Sequence, residues 1–482
     1  MNLIWTLLPP LFVIPFIIAF GERLRNFREA AIFVAGIVLL VINLSIYQAV
    51  MAGEIIASVQ LELFSGLSLA LSVEPTGVLF ALLASFLWIV TTLYSIGYMR
   101  GHKEKHQTRF YTCFAIAIGA VMAAAYASNL FTLFIAYEVI TLSTFPLVTH
   151  AGTDAAKRAG RIYLGVLMGG SIGLLMPAMI AIWWLTGTLD FTAGGILSTD
   201  VISTGWLMVL MALIVFGTGK AALMPFHAWL PNAMVAPTPV SALLHAVAVV
   251  KTGVFLILKV VVYIIGFETL QETGAADFLV IIAAATILIG SCIAMTKDNL
   301  KARLAYSTIS QLAYIVLAAL LANRIAAEGA GLHIVTHAFG KITLFFCAGA
   351  IMVALHKKLI SDLDGVGRQV PWTMVAFFIG ALSIIGLPPL AGVWSKLAIS
   401  QGAIVAGEVW LLAVLMLSSL LNIAYLLPIP VRAFFAQPSD AVTGIQEAPW
   451  PCLVAIGITS LGCIAFFFYA DSVMELLAIA KY

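Results

Sequence analysis

The sequence predicts an all-α, polytopic membrane protein with about 14 transmembrane helices. Composition is the first reason, because 62% of the residues are hydrophobic, only 10% are charged and the mean hydropathy is +1.10. Soluble domains are about half apolar and about a quarter charged. The second reason is the recurrence of apolar runs of about 20 residues, the length that crosses a bilayer as a helix. Backbone polar groups in a bilayer must bond within their own segment, so each run is expected to be helical.

The expected spans are numbered 1 to 14 along the chain. They lie at roughly 3–20, 30–50, 76–98, 110–127, 129–150, 161–185, 205–235, 240–262, 276–296, 302–322, 329–355, 371–404, 408–432 and 449–470. Spans 7 and 12 are too long for one straight helix, and they contain Pro225 with Pro231 and Pro388 with Pro389, respectively. Proline removes a backbone donor and kinks a helix, so both spans are expected to be broken. Such breaks persist in a membrane only where they are buried or line a cavity.

The charged residues of the loops predict the orientation of the chain. Alternate loops carry 17 of the 24 lysines and arginines: Arg23, Arg25, Arg28, Arg100, Lys103, Lys105, Arg109, Lys157, Arg158, Arg161, Lys297, Lys301, Arg303, Lys357, Lys358, Arg368 and Arg432. The opposite loops carry only Arg324 and Lys481, and they are otherwise acidic. Cytoplasmic loops attract basic residues, so we expect a multi-pass protein of the cell (plasma or inner) membrane with both termini on the outer side. The net charge of +2 gives no reason to expect nucleic-acid binding.

Five lysines remain inside the spans: Lys220, Lys251, Lys259, Lys341 and Lys396. Lys259 lies near the outer end of span 8, where its side chain is expected to reach the membrane interface. Each of the other four would cost about 2.5–3.5 kcal/mol if it faced lipid, so they are expected to point inward.

One acid, Glu138, lies well inside a span. A buried glutamate among several buried lysines indicates a path for ions through the membrane. The alternative is a buried ion pair that only fixes helix packing.

Span 11 carries His333, His337 and Lys341 at intervals of four residues, which places them in one stripe about 12 Å long on a helix. Histidine exchanges protons near neutral pH, so the stripe favours a proton relay over a structural hydrogen-bonding role or a zinc site. The stripe lacks a third metal ligand. His245 and Lys251 lie about 120° apart around span 8 and can border the same path at different depths.

Other patterns argue against bound groups. The stretch GTGK at 217–220 resembles the end of a phosphate-binding loop, but that motif needs glycine and serine or threonine where the chain has Ile214 and Ala221. The five cysteines all lie in apolar segments without close pairing. We therefore expect no cofactor, no metal and no redox chemistry in this chain. His227 is expected at most to hydrogen-bond carbonyls freed by the break, and its role stays open.

Three stretches carry a resemblance: FGTGKAALMPFHAWLPNAMVAPTPVSALLHA, THAFGKITLFFCAGA and GLPPLAGVWSK. They resemble the antiporter-like family, which comprises proton-pumping membrane subunits of respiratory complex I, large subunits of Mrp-type cation/proton antiporters, and relatives in membrane-bound hydrogenases. The resemblance implies two inverted five-helix repeats, spans 4–8 and 9–13. It divides the chain into N-terminal helices 1–3 (1–109), a first repeat (110–262), a second repeat (276–432) and a C-terminal helix 14 (433–482).

The resemblance also implies a proton pathway. The family's functional positions fall on Glu138, Lys220, His245, Lys251, His333, His337, Lys341 and Lys396. On this interpretation Glu138 and Lys220 are expected to form an ion pair that opens and closes. GLPPLAGVWSK and PLVTH look most like the D subunit of Mrp-type antiporters or a hydrogenase-linked relative. A complex I branch of similar length has glutamate where this chain has Lys396, so complex I is the alternative. The implied partners are protons, sodium and other membrane subunits of an antiporter or of an NADH:quinone oxidoreductase.

Overall fold

A computed structural model describes residues 2–64, 67–438 and 444–480. The first half contains helices α1 (Leu8–Phe20), α2 (Arg25–Met51), α3 (Pro75–Gly101), α4 (Gln107–Ala125), α5 (Leu130–Val148), α6 (Asp154–Gly170), α7 (Met176–Thr186), α8 (Thr204–Gly217), α9 (Trp229–Asn232), α10 (Thr238–Ala242), α11 (Val249–Val260) and α12 (Phe267–Thr273). The second half contains α13 (Asp277–Thr296), α14 (Leu300–Leu320), α15 (Arg324–Leu355), α16 (Pro371–Ile385), α17 (Gly392–Val405), α18 (Trp410–Leu426), α19 (Pro428–Phe435), α20 (Trp450–Phe468) and α21 (Ala470–Ala478).

The predicted number of spans is confirmed. Within the described ranges, 12 helices are long and apolar enough to cross a membrane. Two shorter apolar helices, Thr204–Gly217 and Pro371–Ile385, form the first halves of spans 7 and 12. Both of these spans are broken, as expected. The break of span 12 contains Pro388 and Pro389, whereas that of span 7 contains Pro225 but begins earlier, after Gly217. The chain is a multi-pass membrane protein. We call the side that carries the lysine- and arginine-rich loops the basic face and the opposite side the acidic face.

A short β-hairpin lies on the acidic face, where the sequence predicts a loop. Strand β1 (Val59–Phe64) pairs antiparallel with β2 (Leu67–Leu71). The hairpin covers the start of α5, because Asn129 donates to the carbonyl of Ser68 at 3.0 Å and Thr132 accepts from the amide of Ala70 at 2.9 Å. The alternation of apolar and polar residues in VQLELF is the sequence signal for this strand.

Spans 8, 10 and 11 form the centre of the molecule. Their apolar stretches are 100%, 89% and 78% buried, whereas those of spans 1, 2, 13 and 14 are 28–39% buried. The central spans are therefore shielded from lipid by other helices, and they also carry most of the titratable side chains inside the spans.

Two basic residues that the sequence places in a loop or at the membrane interface are buried in the structure. Arg28, expected in a loop, is a fully buried residue of α2 that pairs with Glu29 at 3.2 Å. Lys259, expected to reach the interface, is only 1% exposed, and its Nζ lies 2.9 Å from Glu74. In both cases a carboxylate of the protein, and not water, lies beside the buried charge. The charge pattern of the sequence does not reveal this pairing. Lys481 lies outside the described residues.

Candidate functional site

The break in span 7 positions Lys220. Helix α8 ends at Gly217, and Lys220 follows in a single 3₁₀ turn, Gly219–Ala221, from which the chain turns away through Ala222 at a φ of +52°. The Trp229 indole donates to the carbonyl of Gly219 at 2.9 Å and braces this turn. The break therefore holds a fully buried lysine in the interior of the helix bundle.

The ammonium of Lys220 is bound by span 5. Its Nζ donates to the carbonyl of Tyr137 at 2.5 Å and to the Thr141 hydroxyl at 2.6 Å, and it lies 3.0 Å from the centre of the Tyr137 ring. The Tyr137 hydroxyl also accepts from the backbone amide of Lys220 at 3.1 Å. Neutral groups of one helix thus surround the ammonium.

Glu138 follows Tyr137 on the same helix, but it does not bond to Lys220. Both of its carboxylate oxygens are buried without a hydrogen-bond partner, and the described residues contain no ion pair between the two side chains. The residues expected to form an ion pair are therefore neighbours whose pair is open in this structure. The Lys220 ammonium is bonded instead to the carbonyl of Tyr137, the residue before Glu138.

A continuous contact joins span 8 to span 11. Lys251 Nζ lies 2.7 Å from His337 Nδ1, and the ring of His337 stacks on that of His333 with 5.8 Å between centroids. His333 Nδ1 then lies 2.9 Å from the hydroxyl of Ser395 in span 12. Lys251, His337 and His333 are all buried, so these polar groups face one another rather than lipid.

The stripe on span 11 continues from His337 to Lys341. Lys341 Nζ lies 2.5 Å from the Ser307 hydroxyl of span 10, which accepts from the Tyr425 hydroxyl of span 13 at 2.8 Å. The carbonyl of Tyr425 accepts from Arg303 at 3.0 Å. Arg303 belongs to the basic face, so this branch approaches that face from the centre of the membrane.

Lys396 lies beyond the break in span 12, in the second half-helix α17. Its Nζ donates to the carbonyl of Ile385, the last residue of the first half-helix, at 2.8 Å and to the hydroxyl of Ser419 at 3.1 Å. It also lies 5.3 Å from the ring centre of Tyr314 in span 10. A carbonyl at the end of a helix is electronegative, which makes it a favourable partner for an ammonium.

Two further histidines, His245 and His227, are not joined to this chain of contacts. His245 lies in a π turn, Leu243–Val247, with both ring nitrogens buried and without a partner, and its ring lies 4.5 Å from that of Phe345. His227 is half-buried, its Nδ1 has no partner, and its ring lies 6.2 Å from Tyr306. A π turn widens a helix locally and commonly occurs at functional sites.

The backbone of span 8 packs closely against the break of span 7. A Cβ atom on Gly253 would lie 2.5 Å from the amide nitrogen of Ala221 and 2.8 Å from Cβ of Lys220. Glycine is therefore required at this position, two residues after Lys251. It lets the turn that carries Lys220 lie directly on the helix that carries Lys251.

A cavity of about 450 Å³ opens on the basic face between spans 8 and 11. Thr238 and Ala348 line it, seven residues from His245 on span 8 and seven from Lys341 on span 11, respectively. Each of these two lining residues therefore lies about two helical turns from the titratable side chain, on the side of the basic face.

Asp298, the residue before the cavity-lining Asn299, accepts from the Ser361 hydroxyl at 2.8 Å and from its amide at 3.0 Å. The Ser361 hydroxyl, followed by its amide, lowers the pKa of the Asp298 carboxyl below its ordinary value. A lowered carboxyl pKa means that the contact stabilises the fold above that ordinary value and is lost only as the pH falls through the lowered one.

Sequence reasoning identified the charged members of the site but not the neutral groups that connect them. The missed side chains are Tyr137, Thr141, Ser307, Tyr314, Ser395, Ser419 and Tyr425. Hydroxyl residues are common in membrane helices, and only the three-dimensional arrangement shows which of them face a lysine or a histidine. Among the described residues, no group of three or more histidine, cysteine or acidic side chains could hold a metal ion.

Comparison with known proteins identifies related sequences. The family model described as "NADH:quinone oxidoreductase/Mrp antiporter, TM" matches residues 127–422. NADH-quinone oxidoreductase subunit N of Desulforudis audaxviator is 30% identical over 424 residues, which cover 84% of this chain and 83% of the relative. NAD(P)H-quinone oxidoreductase subunit 5 of the Paulinella chromatophora chromatophore is 33% identical over 350 residues, which cover 68% of this chain. The chain spans about half the length of that relative, 50%.

Two solved structures share the fold over nearly the whole chain. A chain of the Mrp complex from Dietzia sp. DQ12-45-1b superposes with a TM-score of 0.85 at 21% identity, covering 99% of this chain and 96% of that one. A chain of a membrane-bound sulfane sulfur reductase, an archaeal respiratory membrane complex, superposes with a TM-score of 0.87 at 21% identity and the same coverage. At this level of identity the likeness concerns the fold.

Proposed function

The chain belongs to the transmembrane family of NADH:quinone oxidoreductase and Mrp antiporter subunits, and on that premise we propose that it is the proton-translocating membrane subunit of a multisubunit Mrp-type sodium/proton antiporter. The observation that carries the proposal is the buried contact from Lys251 through His337 and His333 to Ser395. Ionisable groups inside a membrane are expensive to bury, and they commonly form proton relays.

The proposed pathway uses eight residues: Glu138, Lys220, His245, Lys251, His333, His337, Lys341 and Lys396. With the pair of Lys220 and Glu138 closed, the carboxylate favours a protonated lysine. When the pair opens, the lysine loses the carboxylate, so desolvation and neighbouring cations make the proton easier to release than it is in the closed pair. The proton then passes to Lys251 on the adjoining helix and on to the histidines of span 11.

The two ends of the pathway lie in different surroundings. On the basic face, a cavity of about 450 Å³ opens between spans 8 and 11, the two spans that carry His245 and Lys341. In the second repeat, Lys396 exchanges the proton with one side of the membrane. Partner membrane subunits couple these transfers to sodium movement.

The alternative is a proton-pumping membrane subunit of a complex I-like NADH:quinone oxidoreductase or of a membrane-bound hydrogenase. The names of the relatives favour it, because subunit N of D. audaxviator is similar over 84% of this chain. The Mrp version rests on the resemblance of GLPPLAGVWSK and PLVTH to the D subunit, and on the fold shared with a chain of the Dietzia Mrp complex.

Everted membrane vesicles that contain the chain with its neighbouring subunits test both versions. For the antiporter we expect a sodium pulse to collapse an imposed pH gradient, and we expect vesicles without the neighbouring subunits not to respond. For the alternative, sodium has no effect, and electron transfer acidifies the vesicles. If an assembled complex moves protons in neither the sodium-pulse assay nor the electron-transfer assay, the proposed function is overturned.

A further inference from the structure

The Lys220 ammonium is held by specific groups of span 5. The ammonium has three hydrogens to donate. The Tyr137 carbonyl and the Thr141 hydroxyl accept two of them, and the Tyr137 ring face lies against the charge at 3.0 Å. A lysine over an aromatic face gains a further electrostatic attraction. The site on span 5 is therefore complete without a carboxylate.

The carboxylate of Glu138 lies next to this neutral site and is unused. Both of its oxygens are buried without a hydrogen-bond partner. A buried acceptor left unpaired is costly, so the carboxylate would gain free energy by accepting from the Lys220 ammonium. The ammonium therefore has two competing positions on span 5. One consists of the Tyr137 carbonyl with the Thr141 hydroxyl, and the other is Glu138.

We propose that the Tyr137 carbonyl and the Thr141 hydroxyl form a second holding position for Lys220, with Thr141 as the positioning residue that balances it against Glu138. This inference rests on the proposed function, because it concerns how the pair of Lys220 and Glu138 opens. In the holding position the lysine is separated from its carboxylate while it stays fully buried. The hydroxyl of Thr141 thereby makes the open state a defined conformation.

The second repeat has a matching holding position without the competing acid. Lys396 donates to the Ile385 carbonyl and the Ser419 hydroxyl, and it lies 5.3 Å from the Tyr314 ring. The residue after Tyr314 is Ile315, whereas the residue after Tyr137 is Glu138. The two sites share a carbonyl, a hydroxyl and a tyrosine, but an acid follows the tyrosine only in the first repeat. We therefore assign the two-position behaviour to the first repeat alone.

Thr141 can be tested without changing a charged residue. Thr141→Val keeps the shape of the side chain and removes the acceptor, whereas Thr141→Ser keeps the acceptor. Thr144 is the matched control, because it is also buried on span 5 but its hydroxyl contacts Tyr163 at 2.6 Å instead of a lysine. In assembled complexes we expect Thr141→Val to slow proton movement about tenfold, and Thr141→Ser and Thr144→Val to stay within about twofold of wild type. Thr141→Ala replaces the valine variant if the latter does not assemble.

A double-mutant cycle with Glu138→Gln separates positioning from structure. If Thr141 competes with Glu138 for the lysine, removing the carboxylate removes the competition, so Thr141→Val should change the Glu138→Gln rate by less than about twofold. Equal effects of Thr141→Val in both backgrounds, or no rescue by serine, would overturn the inference. Failure of the proposed function is a different result, in which Glu138→Gln alone leaves proton movement unchanged.

Discussion

At the scale of single residues, the contact between Lys251 of span 8 and His337 of span 11 is the proposed step between the two expected repeats. It is direct, at 2.7 Å, and both side chains are buried. On the proposed pathway the proton crosses from span 8 to span 11 at this pair, so the two residues are expected to act as a unit.

We predict that Lys251→Met and His337→Phe each lower proton movement at least about tenfold, and that the double variant is no slower than either single variant. Residues that act in one step show such non-additive effects. Thr343→Val is the control, since its hydroxyl donates only within span 11, to the Phe339 carbonyl at 2.8 Å, and otherwise approaches Cys463 at 3.9 Å. Rates that multiply in the double variant would argue for separate roles.

At the scale of secondary-structure elements, the break of span 7 depends on a glycine of span 8. An alanine at position 253 would place its Cβ 2.5 Å from the amide nitrogen of Ala221. The turn that carries Lys220 would then have to move away from span 8.

We therefore predict that Gly253→Ala slows proton movement about tenfold or more, although alanine by itself favours a helix by about 1 kcal/mol over glycine. Rates in assembled complexes and thermal unfolding in detergent measure the two effects. Gly169→Ala is the control, because no atom lies within 4 Å of a Cβ at that helical position. Wild-type rates in Gly253→Ala would show that the close contact is unimportant.

A second element-scale feature is the pair of Lys259 and Glu74, which ties the acidic-face end of span 8 to the start of span 3. The Nζ of Lys259 also donates to the Ala127 carbonyl at 2.7 Å and lies 4.2 Å from the Phe191 ring. This pair lies outside the proposed pathway, so a structural role is expected.

Removing one partner of a buried ion pair leaves the other charge uncompensated, whereas removing both does not. We predict that Glu74→Gln lowers the free energy of unfolding by up to about 3 kcal/mol, and that Glu74→Gln combined with Lys259→Met costs less. Thermal unfolding in detergent compares the two variants. A double variant that is less stable than Glu74→Gln would contradict this role.

At the scale of the whole molecule, the division into a basic and an acidic face predicts the orientation in the membrane. Basic loops stay in the cytoplasm. In a Cys292→Ser background, which removes the exposed native thiol, we expect an impermeant maleimide to label Thr199→Cys in intact cells and Lys105→Cys only after permeabilisation. Labelling in the reverse order would place both termini on the inner side.

Much of this architecture could be predicted from the sequence. The lengths of the apolar runs predict the spans, and Pro225 and Pro388 indicate which two of them are broken. The deep lysines pointed inward because lipid excludes them, and the stripe from His333 to Lys341 follows from helical spacing alone. These features depend on local composition, which a single sequence contains.

What could not be predicted depends on contacts between distant segments. The burial of Lys259 depends on Glu74, which lies far away in the sequence, and the open state of Lys220 depends on Thr141, whose residue type is common in helices. His245 lies in a π turn, which has no sequence signature, and its ring nitrogens have no partner. Such features require the spatial arrangement of the spans.

The rate of proton movement in assembled complexes that carry Lys220→Ala tests the central claim most directly. The double variant Glu74→Gln with Lys259→Met is the matched control, because it removes another buried lysine outside the pathway. We predict that Lys220→Ala assembles with its partner subunits and abolishes proton movement, while the control retains it. Full proton movement by assembled Lys220→Ala complexes would contradict the proposed pathway.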